Sequence, residues 1–416
     1  MKYRSIKGTK DILPGEIEVW QHIEGLVRQV MRSHNYHEIR TPIFESTALF
    51  ARSIGELTDI VTKEMYTFRD RSDESVTLKP EGTASVLRAY IQNNLGEHAS
   101  LSKLYYIGPM FRQERPQAGR LRQFHQFGAE AIGSQAPALD AEMMIIALDT
   151  YRSLGITETA LKVNSVGCQR CRPHYKELLI DHLAIIASQL SAESQSRIQN
   201  NPLRVLDCKD EQDQRLLQNV PLIKDYLCQE CADHFTHVLT TLDETQIEHT
   251  VDGKLVRGLD YYTKTAFEIT SSALGSQDAL AGGGRYDLLI EELGGKPTPG
   301  VGFAAGMERL IMVLTKQKPI TFSAPLPTLY IVSADEQARH WTFQKAIELR
   351  RRGIAVEVDY LDRSVKAQMR EANRLNCEFV LVIGERELTS GSGTIKNMIS
   401  SAEASVSLSQ LETFFA

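Results

Sequence analysis

Arginines are concentrated in one short stretch of the chain, residues 111–126, which reads FRQERPQAGRLRQFHQ. Four of them, Arg112, Arg115, Arg120 and Arg122, fall within eleven residues, together with Glu114. A guanidinium group can grip a phosphate through two parallel hydrogen bonds, which a lysine cannot do. Apolar residues at positions 111, 121, 124 and 127 favour partly buried strands, where an unpaired cation is costly. The stretch therefore predicts an anion-binding site rather than a solvated hairpin.

Two further stretches mix residue types that a core strand normally avoids. Residues 255–262, LVRGLDYY, place Arg257 among apolar residues, followed by an acid and two tyrosines. Residues 281–287 (AGGGRYD) and 300–310 (GVGFAAGMERL) are rich in glycine, which lets a flat ligand approach the backbone closely. Neither glycine cluster matches a phosphate-binding loop or a dinucleotide fingerprint. Their ligand is therefore not identified by glycine spacing alone.

Four of the six cysteines form two Cys-x-x-Cys pairs, Cys168 with Cys171 and Cys228 with Cys231. This is zinc-knuckle spacing, but residues 172–227, 56 in all, separate the pairs, a gap longer than in compact zinc modules. Reduced thiols are the preferred interpretation and structural zinc is the alternative. His234 and His237 follow the second pair and could supply a ligand, although a polar helix face is preferred for them.

The composition excludes several classes of protein. The 416 residues are 42% hydrophobic and 24% charged, which is typical of a globular protein of two or three domains. The net charge of −6 argues against nucleic-acid binding through bulk charge, so such binding would need local basic patches. No apolar run reaches the ~18 residues of a membrane span. The N-terminal residues lack the apolar core of a signal peptide, so we expect a cytoplasmic protein without membrane contact.

The hydrophobic pattern predicts the elements that must position these residues. Apolar spacing of three and four predicts a helix over residues 17–31, and strand-like runs at 104–107 and 124–132 flank the arginine-rich stretch. A polar stretch at 69–74 predicts a hairpin tip, and Asp140 is interpreted as the cap of the following helix. Residues 160–247 are predicted to form a helical insertion.

The last part of the chain has a different rhythm. A stretch rich in Pro, Thr and Ser at residues 316–327 predicts a linker. Beyond it, predicted strands at 329–332, 355–358 and 379–383 alternate with predicted helices at 335–352 and 365–375. Such alternation is typical of a small α/β domain with a largely parallel sheet.

Taken together, these segments resemble the bacterial histidyl-tRNA synthetases, a family of class II aminoacyl-tRNA synthetases. Thr41-Pro42, with the helix before it, resembles the first class II motif, residues 112–126 resemble the second, and residues 302–310 the third. Residues 255–262 resemble a segment peculiar to the histidine family. The resemblance also begins early, at residues 7–11 (KGTKD), and so covers essentially the whole chain.

The resemblance implies an α+β fold with two domains. Residues 1–324 would form a class II catalytic domain, an antiparallel sheet with flanking helices that includes the 160–247 insertion. Residues 325–416 would form an anticodon-binding α/β domain. The family's first motif also implies a homodimer, which the amphipathic helix over residues 17–31 would only permit.

The implied reaction has two steps, formation of histidyl-adenylate from L-histidine and ATP, then transfer of histidine to the 3′ end of tRNA(His). Arg112 and Arg257 would be catalytic, holding the α-phosphate and the histidine carboxylate from two sides. Arg120 and Arg309 would bind the γ-phosphate and Glu114 the adenine amine, while Mg²⁺ bridges the outer phosphates.

The same resemblance assigns the residues that would bind histidine. Glu81, Gly82 and Thr83, with Gln126, would surround the α-ammonium group. Glu130 and Tyr262 would face the two ring nitrogens, and Tyr261 would line the pocket. The histidine-binding residues would thus be Glu81, Gly82, Thr83, Arg112, Gln126, Glu130, Arg257, Tyr261 and Tyr262.

One alternative has the same catalytic fold but no ligase activity. A synthetase-like regulatory subunit of ATP phosphoribosyltransferase typically lacks the anticodon module and the intact segment around Arg257. Both features are present here, and they favour the ligase.

Overall fold

The computed structural model describes residues 3–55, 58, 60–117, 119–208, 210–275, 278–317 and 326–415. The chain divides into two units, Met1–Ile320 and Thr321–Ala416. The expected domain boundary at residues 324 and 325, and most of the expected linker, lie outside the described residues. That boundary stays a prediction.

The described strands of the first unit are β1 (His37–Glu38), β2 (Phe44–Ser46), β3 (Thr67–Arg69), β4 (Ser75–Leu78), β5 (Ser102–Phe111), β6 (Gln123–Ile132), β7 (Ala160–Ser165), β8 (Thr250–Val251), β9 (Thr263–Thr270), β10 (Ala279–Arg285) and β11 (Gly300–Gly306). Its described α-helices are α1 (Ile17–Ser33), α2 (Thr47–Ile54), α3 (Thr83–Gln92), α4 (Leu95–His98), α5 (Pro137–Ser153), α6 (Cys171–Ile186), α7 (Ala192–Asn200), α8 (Glu211–Leu216), α9 (Gln229–Glu244), α10 (Leu289–Glu292) and α11 (Met307–Gln317). Short helical turns lie at Ile60–Glu64, Ala187–Gln189, Pro202–Val205, Leu217–Asn219, Ile223–Asp225 and Ser272–Leu274.

Eight of the described strands form one large sheet, in the order β1-β5-β6-β11-β10-β9-β7-β8. The five inner pairings are antiparallel, and the short edge strands β1 and β8 pair in parallel. The expected antiparallel sheet is therefore present. The predicted strands around the arginine-rich stretch are also confirmed, since β5 and β6 pair with each other along their full lengths.

Alternation along the strands gives this sheet two different faces. On β6, Phe127, Ala129 and Ala131 are buried in the main core with residues of α1, α5, α9 and α11. Since side chains alternate along a strand, Gln126 and Glu130 point to the opposite face. The same alternation on β9 places Glu268 away from its buried neighbours in that core. One face of the sheet is thus packed by helices, and the other carries polar side chains.

A small antiparallel sheet, β2-β4-β3, lies in the same unit. Its β3-β4 hairpin turns at residues 70–74, where Asp73 has a φ of 62° and the Asp70 carboxylate accepts hydrogen bonds from the backbone N–H groups of Ser72 and Glu74. This confirms the predicted hairpin tip.

The insertion differs from its predicted bounds at both ends. Ala160–Ser165 is strand β7, which pairs with β9 in the large sheet. Helix α9 packs its apolar residues into the main core together with α5. The stretch that builds a core of its own is shorter, between α6 and the turn at Ile223–Asp225. Residue pattern alone missed this because β7 (ALKVNS) is half polar, as are the helices that follow.

The second unit consists of β12 (Leu329–Ser333), α12 (Glu336–Arg351), β13 (Val356–Val358), α13 (Val365–Arg374), β14 (Phe379–Ile383), α14 (Glu385–Ser390), β15 (Ser392–Asn397), β16 (Glu403–Ser407) and a turn of helix at Leu408–Phe415. Its strand order is β13-β12-β14-β15-β16. The predicted elements up to residue 383 are confirmed. The sheet is mixed, however, because β15 and β16 add an antiparallel hairpin. Their sequences are too polar to have predicted strands.

Candidate active site

A cleft of about 470 Å³ opens in the first unit, over the polar face of the large sheet. Most of the residues expected from sequence line it: Glu81, Thr83, Arg112, Glu114, Arg120, Gln126, Arg257, Tyr261, Tyr262 and Arg309. Gly82 and Glu130 are not among its lining residues. The expected site residues are therefore gathered in one place by strand β6, by the segments between β5 and β6 and before β9, and by the starts of α3 and α11.

Two arginines after β5 share one carboxylate. Glu114 lies 3.8 Å from the Arg112 guanidinium and accepts a hydrogen bond of 3.1 Å from Arg120. Arg112 also donates to the carbonyl oxygen of Pro80 at 2.9 Å and lies over the ring of Phe124. These contacts hold the guanidinium group of Arg112 next to Pro80, the residue that precedes Glu81.

Arg309, on the first turn of α11, is anchored by backbone carbonyls. It donates to Ala279 at 2.7 Å and to Gly119 at 3.3 Å. Burial lowers its pKa, and the nearby charges of Arg120 and Arg112 act in the same direction. Cations that raise one another's energy in this way are stabilised by an anionic ligand.

Arg257 lines the same cleft, next to Gly282 of the glycine-rich strand β10. It forms an ion pair with Glu268 of β9. Burial acts to lower the pKa of Arg257, but the charges around it, that of Glu268 foremost, and the hydrogen bond to Glu268 together raise that pKa. Among the described residues, none makes a hydrogen bond to the buried Nε of Arg257. A donor left in this state favours an acceptor supplied by a ligand.

Glu81 is buried and its carboxylate is held at the N-terminus of α3. Its two oxygens accept hydrogen bonds of 2.8 Å from the backbone N–H groups of Thr83 and Ala84. Burial raises the pKa of the carboxyl group, and these hydrogen bonds oppose that rise. A carboxylate oxygen can accept more than one hydrogen bond, so Glu81 retains acceptor capacity toward the cleft.

Glu130 is fully buried, behind the lining of the cleft rather than on it. It accepts hydrogen bonds from the hydroxyl of Thr83 at 2.7 Å and from the hydroxyl of Tyr286 at 2.5 Å. Burial raises the pKa of Glu130 to about 8, although both hydrogen bonds act to lower it. Both carboxylate oxygens are thus already engaged by the chain. The expected contact of Glu130 with the imidazole ring stays a prediction.

Behind the tyrosines that line the cleft lies one residue that the sequence did not predict, Tyr286. Tyr261 lies against Tyr262, with ring centroids 4.6 Å apart, and edge-on to Tyr286 at 5.9 Å. Burial raises the pKa of Tyr262 to about 12, so its hydroxyl remains protonated. Tyr286 belongs to the glycine-rich stretch at residues 281–287, but the spacing of the glycines does not predict a role for the tyrosine.

Gln126, on β6, has a buried side-chain oxygen that could accept a hydrogen bond. Within the described part of the chain, no group donates to it. An acceptor in this position suits an ammonium or N–H donor on a ligand. This fits the expected role of Gln126, which remains a prediction.

A buried charge network supports the tyrosine wall. Arg285, the last residue of β10, is fully buried and forms an ion pair with Asp140, whose other oxygen lies 2.8 Å from Nε2 of His234. Burial acts to raise the pKa of Asp140, but these hydrogen bonds and the charge of Arg285 lower it. Asp140 is therefore not the cap of α5, as the sequence suggested, since α5 begins at Pro137. His234 is engaged by Asp140.

His125 has a structural role. The carboxylate of Glu308, at the start of α11, accepts a hydrogen bond of 2.9 Å from the His125 backbone and lies 3.0 Å from its ring Nδ1. The ring packs edge-on against Trp20. This contact ties α11, and with it Arg309, to strand β6.

Other cleft residues come from segments with no motif. Glu268 is the one acid of strand β9, and Arg197, Arg204 and Asp207 are contributed by the insertion. An acid between the apolar residues Phe267 and Ile269 was the one usable signal. Nothing in the polar insertion sequence distinguished its arginines from surface residues.

The four cysteines of the two Cys-x-x-Cys pairs lie together. Their sulfur atoms are all within 4.8 Å of one another, although the pairs are far apart in sequence. This favours the zinc alternative over the preferred interpretation of reduced thiols.

The three arginines at residues 350–352 lie at the C-terminal end of helix α12. Arg350 donates a hydrogen bond to the Val356 carbonyl oxygen, and Arg352 forms an ion pair with Glu412.

The chemistry that this site can perform follows from its charges. Arginines from three elements converge on one end, and buried acceptors with tyrosine rings form the other. Such a cleft can hold a polyphosphate next to a small amphoteric ligand and stabilise negative charge between them. None of the helices among the described residues is long and apolar enough to cross a membrane.

Comparison with known proteins places the site in a family. The family model described as histidyl-tRNA synthetase matches residues 8–310, and that of the anticodon binding domain matches residues 329–416. The histidine–tRNA ligase of Desulforamulus reducens is 50% identical over 409 residues, covering 98% of this chain and 97% of its own. That of Halothermothrix orenii is 48% identical over 414 residues, covering 99% and 98%.

A solved structure agrees. The apo histidyl-tRNA synthetase of S. aureus superposes with a TM-score of 0.83 at 38% sequence identity, and the match covers 99% of each chain. These similarities span both units and include every segment on which the resemblance was based. The chain belongs to the histidyl-tRNA synthetase family.

Proposed function

We propose that the chain is a histidine–tRNA ligase whose adenylate-forming centre is the cleft described above. In the first step a carboxylate oxygen of L-histidine attacks the α-phosphorus of ATP. A new P–O bond forms, and the bond to the leaving pyrophosphate breaks. In the second step the acyl group moves to a hydroxyl of the 3′-terminal adenosine of tRNA(His), and AMP is released.

The observation that carries this proposal is the convergence of arginines on one end of the cleft. Arg112 and Arg257 stand at the α-phosphate and the histidine carboxylate, where negative charge builds in the transition state. Their preorganised N–H groups lower the barrier because they need no reorganisation when that charge appears. Arg120 and Arg309 bind the γ-phosphate end. The mutual repulsion of the charges at Arg309 supports this assignment.

Glu114 is proposed to bind the adenine amine. Its side chain already accepts a hydrogen bond from Arg120, which fixes its position between the two arginines that flank the nucleotide. Glu114 can accept from the amine because an ionised carboxylate has acceptor sites beyond those used by one arginine.

The other end of the cleft is proposed to bind histidine. Glu81 and Gln126 accept hydrogen bonds from the α-ammonium group, with the Thr83 hydroxyl beside them, and Gly82 between Glu81 and Thr83 leaves room for the ring of Tyr106. Tyr262 faces the ring, and Tyr261 closes the pocket. Glu130 acts on the ring either directly or by orienting the hydroxyls of Thr83 and Tyr286. A pocket of this kind rejects amino acids that leave its buried polar groups unpaired.

Mg²⁺ fits a carboxylate present in the cleft. Glu268 lines the cleft and offers hard oxygen ligands, and Mg²⁺ is commonly held by one or two carboxylates together with substrate phosphates. When bound with ATP, it would neutralise charge on the outer phosphates. Arg257 and Arg112 serve the α-phosphate without it.

Residues 325–416 are proposed to bind the anticodon of tRNA(His), which the match of that unit to anticodon-binding domains supports. The match over both units also disfavours the regulatory-subunit alternative, which typically lacks this module. A cytoplasmic location remains part of the proposal.

A homodimer is proposed as well. The apolar face of α1, which only permitted a dimer, packs inside the chain's own core. The small sheet offers a better surface, because Ile43, Phe44 and Phe68 are 46%, 57% and 48% exposed. These residues follow the Thr41-Pro42 motif. Light scattering should give twice the chain mass for the wild type, and Phe44→Glu should shift the protein toward monomer.

The proposed activity is tested by ATP–pyrophosphate exchange with purified protein. Exchange should require L-histidine and Mg²⁺, and other amino acids at the same concentration should support less than about 10⁻⁴ of the rate. Equal exchange with several amino acids, or none with histidine, would rule the proposal out.

A further inference from the structure

The four sulfur atoms of Cys168, Cys171, Cys228 and Cys231 are arranged as four ligands of one ion. Sγ of Cys168 lies 3.7 Å from that of Cys171 and 3.9 Å from that of Cys228, and all four lie within 4.8 Å of one another. Zinc bound tetrahedrally at about 2.3 Å requires sulfur atoms roughly 3.8 Å apart. The two distances from Cys168 match that spacing.

The backbone around the cysteines supports thiolates rather than neutral thiols. Backbone N–H groups of Cys228 and Arg170 point at the sulfurs of Cys171 and Cys168, at 3.2 and 3.4 Å. Cys171 is the first residue of α6, and Cys228 directly precedes α9. Both helices have 16 residues, and their N-termini carry partial positive charge. A site with these donors stabilises the negative charge of a metal–thiolate centre.

Glycine at position 167 allows the backbone to pass close to Cys171 of the cluster. Gly167 has a φ of +66°, and a Cβ atom there would lie 2.9 Å from Cβ of Cys171. Another residue at position 167 would therefore strain the turn and push the first pair apart. Two of the four cysteines, Cys171 and Cys231, are buried, and the other two are half-buried.

Other uses of these cysteines fit less well. None of the six cysteines is in a disulfide, and each sulfur here has more than one sulfur neighbour rather than a single bonding partner. His234 is not a competing ligand because it is held by Asp140, and His237 bonds to the carbonyl oxygen of Asp233. Cys208, which lies between the pairs in sequence, instead contacts Asp213.

We propose that Cys168, Cys171, Cys228 and Cys231 bind one structural zinc ion. Binding converts the four thiols to thiolates, and the protons leave to solvent. The site closes the base of the insertion, since the first pair follows β7, where the chain leaves the large sheet, and the second pair starts α9, where it returns. One zinc ion would thereby join the two ends of residues 172–227.

The zinc site also supports the aromatic wall of the cleft. Arg172, next to Cys171, donates to the carbonyl oxygens of Val166 and Tyr262. Fixing the start of α6 therefore fixes the backbone of a residue that lines the cleft. The role is that of a positioning element, since no cysteine touches the cleft itself.

Elemental analysis of the full chain, purified without chelators and dialysed into metal-free buffer, should give about one equivalent of zinc per chain. X-ray absorption at the zinc edge should show four sulfur neighbours at about 2.3 Å. Less than about a tenth of an equivalent after incubation with ZnCl₂ and desalting would overturn the proposal. A first shell containing nitrogen or oxygen, or iron in place of zinc, would overturn it too.

Matched variants separate this site from general thiol effects. Cys228→Ser should lose at least about nine-tenths of the zinc, whereas Cys208→Ser and Cys377→Ser should retain it. Zinc retained by Cys228→Ser would contradict the assignment. If that variant fails to fold, the wild type decides: titration with a mercurial reagent should release one zinc as four thiols react. Release before the thiols react would overturn the proposal. Neither readout depends on ligase activity, so this proposal and the proposed function fail independently.

Discussion

The guanidinium group of Arg257 lies directly against the backbone of Gly282, where the absent side chain leaves room for it. A Cβ atom at position 282 would stand 2.0 Å from a guanidinium nitrogen of Arg257. The glycine cluster in β10 thus serves a cation of the chain as well as a ligand. Glu268, across the strand pair, then holds that cation in place.

Gly282→Ala should displace Arg257 while leaving the sheet intact, because the group it meets is the end of a flexible side chain. We expect kcat/KM for histidine-dependent exchange to fall about 10- to 100-fold, the effect of a displacement near 1 Å at a reacting centre. Gly25→Ala is the matched control, since nothing lies within 4 Å of a Cβ there. Comparable activity in the two variants would show that the contact does not matter.

The sequence predicted those parts of the molecule in which local pattern and final structure agree. Strand-like runs flank the arginine-rich stretch, and the apolar residues among its arginines favoured an anion site over a solvated hairpin. The assignment of Arg112, Arg257 and Arg309 to one site and one reaction came from the resemblance to the family, since an arginine pattern specifies neither.

The rest depended on contacts between distant parts of the chain. Tyr286 packs against Tyr261 and Glu130 at the end of β10, which is fixed by the Arg285–Asp140 ion pair between residues 145 positions apart. The two cysteine pairs meet only because the insertion returns to its starting point. Glu130 was expected to face a ring nitrogen of histidine, but its position depends on Thr83 and Tyr286 from two other parts of the chain, which engage both of its oxygens. None of these distances is encoded in local residue spacing.

The pKa of Glu130 predicts a pH-dependent cost to stability. That pKa is about 8 in the folded chain, against about 4.3 for an unfolded glutamate. Between these values the folded chain binds a proton that the unfolded chain lacks, so the contribution of Glu130 to stability falls as pH rises through this window. Glu130→Gln removes this cost.

The free energy of unfolding of Glu130→Gln, relative to wild type, should therefore increase from pH 5 to pH 8, by at most about 1.4 kcal/mol per pH unit. Urea unfolding followed by fluorescence measures it. A Trp341→Phe background leaves Trp20, in α1, as the reporter of the first unit. Glu74→Gln, at an exposed turn, serves as control. A constant difference across this pH range would mean that Glu130 does not titrate there.

Glu130→Gln also tests how histidine is recognised. In an exchange assay run above pH 8 Glu130 is ionised, and losing one charged partner from a buried hydrogen bond costs about 1.5–3 kcal/mol, or roughly 10- to 150-fold. We expect KM for histidine in the exchange assay to rise by that factor. KM for ATP should stay within about threefold, because the arginine end is untouched. A rise confined to ATP would show that Glu130 does not act on the amino acid.

Truncation near Pro325 separates the two steps of the reaction. Every proposed site residue lies in the first unit, which has its own core. Exchange by the shortened chain should stay within a few-fold of wild type, while kcat/KM for charging tRNA(His) should fall at least tenfold, equivalent to about 1.4 kcal/mol of lost binding. Unchanged charging efficiency would refute the anticodon-binding role.

The central claim is that this cleft forms histidyl-adenylate with Arg257 as a catalytic group. The most direct measurement is single-turnover adenylate formation in Arg257→Gln, with Arg69→Gln, an exposed hairpin residue, as control. Removing one preorganised donor costs about 10²–10³ in rate, so we predict that loss for Arg257→Gln and none for the control. Transfer from preformed histidyl-adenylate to tRNA(His) should be far less affected. Adenylate formation at the wild-type rate in folded Arg257→Gln would contradict the account.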